Sequence, residues 1–206
     1  MRNFKVLVTC GPTWVKIDDV RVLSNHSSGE MGHRIAEEFL AKGAQVTIIE
    51  GAVTDLWSSS LVKVIKYRFF DELEKSLNLE LKKNYDYVIH AAAVSDFQLA
   101  RPHAGKMDSS KPLTLKLVPA PKLIDTIKKQ APQTVLVGFK LEPDLKVSTI
   151  EKETRGLFEK SKCDWVDANS LKGGYKGFIV DRNQQILAKV DSKKKIAKAL
   201  VKLLMI

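Results

Sequence analysis

A short apolar run, Phe4-Lys5-Val6-Leu7-Val8-Thr9-Cys10, is followed by a helical pattern and then by a second apolar run, and this order constrains the fold most. Residues 29–42 set Met31, Ile35, Phe39 and Leu40 at helical spacing, and Lys42-Gly43 is a good C-terminal stop. Residues 45–50, Gln-Val-Thr-Ile-Ile-Glu, form the next strand. A strand–loop–helix–strand unit predicts a parallel pair joined by a right-handed crossover. The alternation continues with a strand at 61–66, a helix at 70–83 through Phe70, Leu73, Leu77 and Leu81, and a buried strand at 86–92. A half-exposed strand at 113–118, a helix at 121–131, a strand at 134–139, a helix at 148–162 and a strand at 163–168 follow. Residues 176–181 and 185–190 predict a hairpin, and 192–205 a closing helix capped by Ser192. Residues 14–28 read as a long loop. Residues 97–112, with Pro102, Gly105 and Pro112, lack periodicity and predict a mobile flap; loops this long are usually functional. The fold class is α/β: a single three-layer α/β/α domain over 1–206 with a mostly parallel sheet, a C-terminal hairpin and the flap.

Two stretches draw attention to chemistry. Ser24-Asn25-His26-Ser27-Ser28-Gly29-Glu30-Met31-Gly32 falls where the first helix begins. Side-chain donors, backbone N–H groups and the positive end of the helix dipole would converge there, which suits a phosphate or another anion. Plain N-capping by Ser27 or Ser28 is the competing reading. The second stretch is Ala91-Ala92-Ala93-Val94-Ser95-Asp96, small residues at a strand's C-terminal end followed by an Asp, where open α/β sheets bind ligands.

Several function classes drop out. The dinucleotide fingerprint G-x-G-x-x-G and the P-loop pattern are both missing after the first strand, where Gly11-Pro12-Thr13 stands instead. His26, His33, His90 and His103 form no spaced ligand set, so direct metal ligation by protein is not expected, and Mg²⁺ would be held by nucleotide phosphates. The net charge of +10 raises nucleic-acid binding, but the lysines are dispersed over predicted helix faces and no base-stacking aromatic pattern accompanies them. A small polyanionic substrate accounts for a positive cleft equally well. No apolar run approaches the ~20 residues of a membrane helix. Cys10 and Cys163 lie far apart and read as free buried thiols of a reducing cytoplasm.

The ordered blocks resemble a known family, phosphopantothenoylcysteine synthetase (phosphopantothenate–cysteine ligase). Val8-Thr9-Cys10-Gly11-Pro12-Thr13, Asp18, Val20-Arg21 and Ser24 to Gly29 with Met31-Gly32 look like its opening signature. Ala91 to Asp96 resembles its A-A-A-V-A-D strand end, and Gly105-Lys106-Met107 sits at the flap lysine. Val137-Gly138-Phe139 with Glu142 resembles G-F-x-x-E-T, and Cys163 to Asn169 resembles A-D-x-I-V-A-N. Ser192-Lys193-Lys194 is similar to the S-K start of the last helix.

The resemblance implies a Rossmann-like fold and a two-step reaction of coenzyme A biosynthesis. CTP activates 4′-phosphopantothenate as an acyl-cytidylate with release of pyrophosphate; the cysteine amine then displaces CMP. It implies catalytic roles for Lys106 and Asn25. Gly11, Ala91, Ala92, Asp96, Lys106, Phe139 and Lys160 (with Lys162 as its rival) would bind nucleotide. Arg21, Asn25, Ser27, Ser28, Gly29 and Ala93 would bind phosphopantothenate. It further implies CTP and Mg²⁺ without flavin, a cytoplasmic homodimer paired along strand 113–118, and no nucleic-acid or membrane partner. Because the signature begins at residue 6, the expected form is stand-alone, with phosphopantothenoylcysteine decarboxylase as a separate functional partner. Three departures stand out. Glu30 occupies a position where the family usually has Lys or Arg. Phe139-Lys140-Leu141-Glu142-Pro143 is closer to eukaryotic relatives, which use ATP more readily. Gly173-Gly174 interrupts the region after Asn169. A divergent NAD(P)-binding reductase and a non-enzymatic nucleotide or nucleic-acid binding module are the competing readings. The missing glycine fingerprint and the lack of a Tyr-x-x-x-Lys pair count against the reductase, and charge alone suggests the binding module.

Overall fold

A computed structural model describes residues 3–53 and 62–205. Its strands are β1 (Lys5–Cys10), β2 (Trp14–Lys16), β3 (Val22–Ser24), β4 (Gln45–Glu50), β5 (Lys63–Lys66), β6 (Tyr87–His90), β7 (Phe97–Leu99), β8 (Leu117–Pro119), β9 (Val135–Leu141), β10 (Trp165–Ser170), β11 (Lys176–Asp181) and β12 (Ile186–Val190). Its helices are α1 (Glu30–Ala41), α2 (Phe70–Leu81), α3 (Ile124–Gln130), α4 (Ile150–Glu159) and α5 (Lys193–Leu204). The first residue of the predicted third strand, at 61, lies outside the described residues.

Eight strands form one sheet in the order β12-β11-β10-β9-β6-β1-β4-β5. Strands β5, β4, β1, β6, β9 and β10 run parallel, and the β11–β12 hairpin adds antiparallel to β10. Each apolar stripe found in the sequence is buried against this sheet. Ile35, Ala36 and Phe39 of α1 and Ile196, Ala197, Leu200, Val201 and Leu204 of α5 cover one face, over Val6, Val8, Val46 and Ile48. On the other face, Leu73, Leu77 and Leu81 of α2 and Ile127 of α3 pack on Leu7, Ile49, Val88 and Leu136. Three layers result, and the α/β expectation holds.

The chain builds β1, β4 and β5 outward on one side, then returns through α2 to set β6 on the other side of β1. The strand order therefore reverses between β1 and β6, and beyond the carboxyl ends of two such strands is where open α/β sheets form their ligand crevice. Two expected features differ. The loop at 14–28 contains the β2–β3 hairpin. The strand predicted over 113–118 is confined to residues 117–119, which pair with β7 within the chain. Residues 113–116 alternate in sequence, but β7 offers only Phe97–Leu99 as a partner. The flap thus hangs from a two-stranded ribbon.

Candidate functional site

Beyond β1 the backbone turns at Gly11 with φ of 80°. A Cβ there would stand 3.0 Å from the Gly51 nitrogen, so both the dihedral and the space call for glycine. The Gly11 carbonyl accepts from the Ala93 N–H at 2.9 Å, which ties the end of β1 to the end of β6. The Tyr67 hydroxyl lies 3.0 Å from the Cys10 carbonyl and 2.9 Å from that of Gly11 and supports the turn from below. Thr9 and Thr13 brace the β6 side: Thr9 Oγ1 is 2.9 Å from His90 Nδ1, and Thr13 Oγ1 accepts from the Ser95 N–H at 2.8 Å. Burial pushes the His90 imidazole down to about 4, so the ring is neutral at physiological pH.

Asn25 reaches the same place from a distant part of the chain. Its Nδ2 donates to the Ala93 and Val94 carbonyls, each at 3.3 Å. Gly11, Ala93 and Asn25 are therefore joined by hydrogen bonds, with Ala91 and Ala92 on the strand end beside them. Gly29 completes the group, since a Cβ on it would lie 3.4 Å from the Gly11 nitrogen.

The start of α1 is open. Gly29 is the N-cap residue, in the left-handed region at φ of 74°, and no side chain caps the helix. The Ser27 and Ser28 hydroxyls make only long contacts, 3.4 Å each, with the Gly29 and Glu30 N–H groups. Neither serine is the N-cap residue, and the two hydroxyls lie beside the first turn of α1. Glu30, the departure from the family pattern, is answered by two cations. Lys193 of α5 donates to its Oε2 at 2.6 Å and Arg34 Nε to its Oε1 at 2.7 Å. Lys193 and then Arg34 hold its carboxyl below the usual range.

The flap is latched to the β2–β3 turn. The Asp18 carboxylate is buried and accepts from the Val20, Arg21 and Met107 N–H groups at 2.8, 2.7 and 3.1 Å. The Met107 N–H, then Val20 and Arg21, lower its pKa to about 2. Asp19 accepts from the Gly105 N–H at 2.9 Å. Exposed Lys106 lies between these two anchored residues. The Arg21 guanidinium bonds Asp18 and the Met107 carbonyl, in both cases through Nη1.

Other expected residues are dispersed. Exposed Asp96 ion-pairs with Lys122. Phe139 is half-buried on β9 against the α1–α5 core. Lys160 is the C-cap of α4, and Lys162 has φ of 59°. Because α4 runs back from the end of β9 to the start of β10, both lysines precede β10, at the edge of the sheet opposite the crevice. Sequence reasoning missed Tyr67, Thr13 and His90, whose contacts link residues more than fifty positions apart.

A family model described as DNA/pantothenate metabolism flavoprotein C-terminal domain matches residues 1–205. The chain is 39% identical over 193 residues to the coenzyme A biosynthesis bifunctional protein CoaBC of Thermococcus kodakarensis, covering 93% of this chain and 46% of that protein. It is 33% identical over 173 residues to the protein of that name from Methanocaldococcus jannaschii, covering 84% and 42%. The chain thus spans about half the length of the curated relatives it matches. The crystal structure of the DNA/pantothenate metabolism flavoprotein from Streptococcus pneumoniae superposes with a TM-score of 0.87 at 25% identity over 97% of each chain. A Cab2 mutant in complex with phosphopantothenate-cysteine shares the fold, with a TM-score of 0.81 at 21% identity over 99% of this chain and 86% of that one. Matched by the family model over nearly its whole length, the chain belongs to the DNA/pantothenate metabolism flavoprotein C-terminal domain family.

Proposed function

We propose that the crevice beyond β1 and β6 is the active site of a phosphopantothenate–cysteine ligase of coenzyme A biosynthesis. The observation that carries this reading is the Asn25 amide, which ties the segment leading into α1 to the Ala93 and Val94 carbonyls. An anion held at the helix start and a nucleotide lying over the strand ends would share an acyl group at that amide. Kinship with proteins named for coenzyme A biosynthesis supports the same reading.

In the first step the phosphopantothenate carboxylate attacks the α-phosphorus of CTP. An acyl–phosphate bond forms, the bond to the β-phosphate oxygen breaks, and pyrophosphate leaves. In the second the cysteine amine attacks the acyl carbon, loses its proton and displaces CMP. Lys106 supplies the cation that offsets crowded negative charge in the first step, and the flap brings it in while excluding water from a hydrolysable intermediate. Asn25 holds the acyl-cytidylate for the amine. Arg21, Ser27, Ser28, Gly29 and Ala93 take phosphopantothenate; the contacts of Arg21 use one of its nitrogens and leave the rest of the fork for an anion. Gly11, Ala91, Ala92, Asp96 and Phe139 receive the nucleotide, CTP in preference to ATP. The groups lining the joined Gly11–Ala93–Asn25 segment are backbone N–H and C=O, an amide and hydroxyls, which suit phosphate oxygens and water. Mg²⁺ would accordingly arrive on the nucleotide phosphates, supplying charge neutralisation there. Lys160, the C-cap of α4, is given no part in the scheme.

Single-turnover kinetics test the division of labour. Lys106→Ala should slow pyrophosphate release by about 10²-fold or more, the scale of losing one transition-state donor. Asn25→Ala should leave the first burst of pyrophosphate intact and slow transfer to cysteine. If both variants stall at the same step, the assignment is wrong.

A further inference from the structure

Cys10, Glu50 and Lys66 are the last residues of β1, β4 and β5, and they are in register: Cys10 pairs with Glu50, and Glu50 with Lys66. In-register neighbours on parallel strands share a face, here the face covered by α1, above Val8 and Ile48. The helix comes down onto this row because residue 32 is glycine. A Cβ on Gly32 would stand 2.4 Å from that of Cys10. The close approach sets His33 over the strand ends, where its Nε2 meets one oxygen of Glu50, whose other oxygen meets the Lys66 ammonium. Cys10 and Glu50 are fully buried. Ligand atoms of Cys10, His33 and Glu50 all lie within 4.8 Å of one another, the one such group of three or more found among the described residues.

We propose that Cys10, His33 and Glu50 form a binding site for a thiophilic divalent cation of the zinc or cobalt type. Metal–ligand bonds of about 2.0–2.3 Å set the donor atoms of a tetrahedral ion about 3.3–3.8 Å apart, inside the 4.8 Å that spans the three ligand atoms, and the His33–Glu50 contact opens as the ion takes its place. The donor set is sulfur, imidazole nitrogen and one carboxylate, which selects such ions over Mg²⁺, whose preference is six oxygens. Cys10 releases its thiol proton to solvent as the ion binds; its thiolate and the Glu50 carboxylate then balance the two charges of the ion, and the fourth position is left for water. Lys66, with half its side chain exposed, neutralises Glu50 in the metal-free protein and swings to solvent when the cation enters. Gly11 follows Cys10, Gly51 follows Glu50, and Gly29 precedes α1. A bound ion would therefore fasten together the three segments that meet at the crevice. The site goes beyond the ligase reading and does not rest on it: the ion is held by the protein beneath the crevice, apart from any ion carried in on nucleotide. Spacing in the sequence could not reveal it, because the ligands come from three separate elements and no two are near neighbours.

The test is titration of the chelator-stripped full chain with Co²⁺ alone. One cobalt per chain should bind, with tetrahedral ligand-field bands in the visible and a thiolate-to-cobalt charge-transfer band in the near ultraviolet; stoichiometric Zn²⁺ should abolish both. Cys10→Ser should remove the charge-transfer band. His33→Gln, a change near the surface that keeps the fold if Cys10→Ser does not, should weaken binding more than about tenfold, since even outer-shell changes cost about 10–100-fold. Cys163→Ser should leave the spectrum unchanged, because Cys163 belongs to the core on the opposite face of the sheet. Absence of the visible bands at stoichiometric cobalt, or bands that survive in both Cys10→Ser and His33→Gln, would overturn the site and leave His33, Glu50 and Lys66 as a buried ion-pair array.

Discussion

Glu30 shows how far one residue's meaning depends on partners the sequence does not reveal. Beside an anion site its negative charge is out of place, yet Lys193, 163 positions away, and Arg34 both bond it. A cation taken from one helix is thereby returned by another. Asp167 is the reverse case. It is fully buried on β10, opposite Phe139 and Ile179, and one of its oxygens has no hydrogen-bond partner. Burial pushes its carboxyl up to about 7, against an Asn169 amide that lowers it. The unfolded chain ionises this group above its ordinary value of 3.8, while the folded chain keeps the proton until about 7. Stability therefore falls as pH rises between those values, by on the order of 4 kcal/mol in all. Asp167→Asn should raise Tm more at pH 8 than at pH 5 and change it little near pH 3; equal shifts at pH 8 and pH 3 would contradict the burial argument.

At the scale of elements, the helices and the parallel strands are legible in the sequence because each carries a continuous stripe, as Leu73, Leu77 and Leu81 do for α2. The ribbons are not. β2, β3, β7 and β8 have three residues each, too few for a period to register, and the 113–116 alternation finds no partner strand. The site splits the same way. The helix start and the small-residue strand end stand out as local patterns, whereas the Asn25–Ala93 contact spans 68 positions and the Asp18–Met107 latch 89. That latch is open to test. The Asp18 pKa lies near 2 against an ordinary 3.8, so its contribution is complete above about pH 4 and is lost as pH falls through 2. Asp18→Asn keeps the shape but replaces the charged acceptor, so proteolytic cleavage within 101–112 should accelerate several-fold at neutral pH with little change in global Tm. Unchanged cleavage would mean that the flap is held by something else.

For the molecule as a whole, the core is covered on both faces of the sheet, but the two small ribbons carry exposed apolar side chains: Val20, Val22 and Leu23 on one, Phe97 and Leu117 on the other, with Leu113 just after the flap. Apolar surface gathered on neighbouring ribbons beside a latched flap is where a second copy of the chain would pair if the protein is a homodimer. Sedimentation at micromolar concentration should give a dimer, and Val20→Asp combined with Leu117→Asp should shift it to monomer and lower kcat. A wild-type monomer would contradict the arrangement. Among the described residues no helix is long and apolar enough to cross a membrane. The net charge is +10, and many of the cations are held in local ion pairs, including Lys63 and Lys83 on Glu80 and Lys128 on Asp164. In the proposed ligase, one crevice activates a carboxylate with a nucleotide and passes the acyl group to an amine. Pyrophosphate release from CTP, measured with Mg²⁺ and phosphopantothenate, and amide formation on adding cysteine, test it directly. One pyrophosphate should be released per amide formed, faster with CTP than with ATP; no release with either nucleotide would contradict the ligase reading.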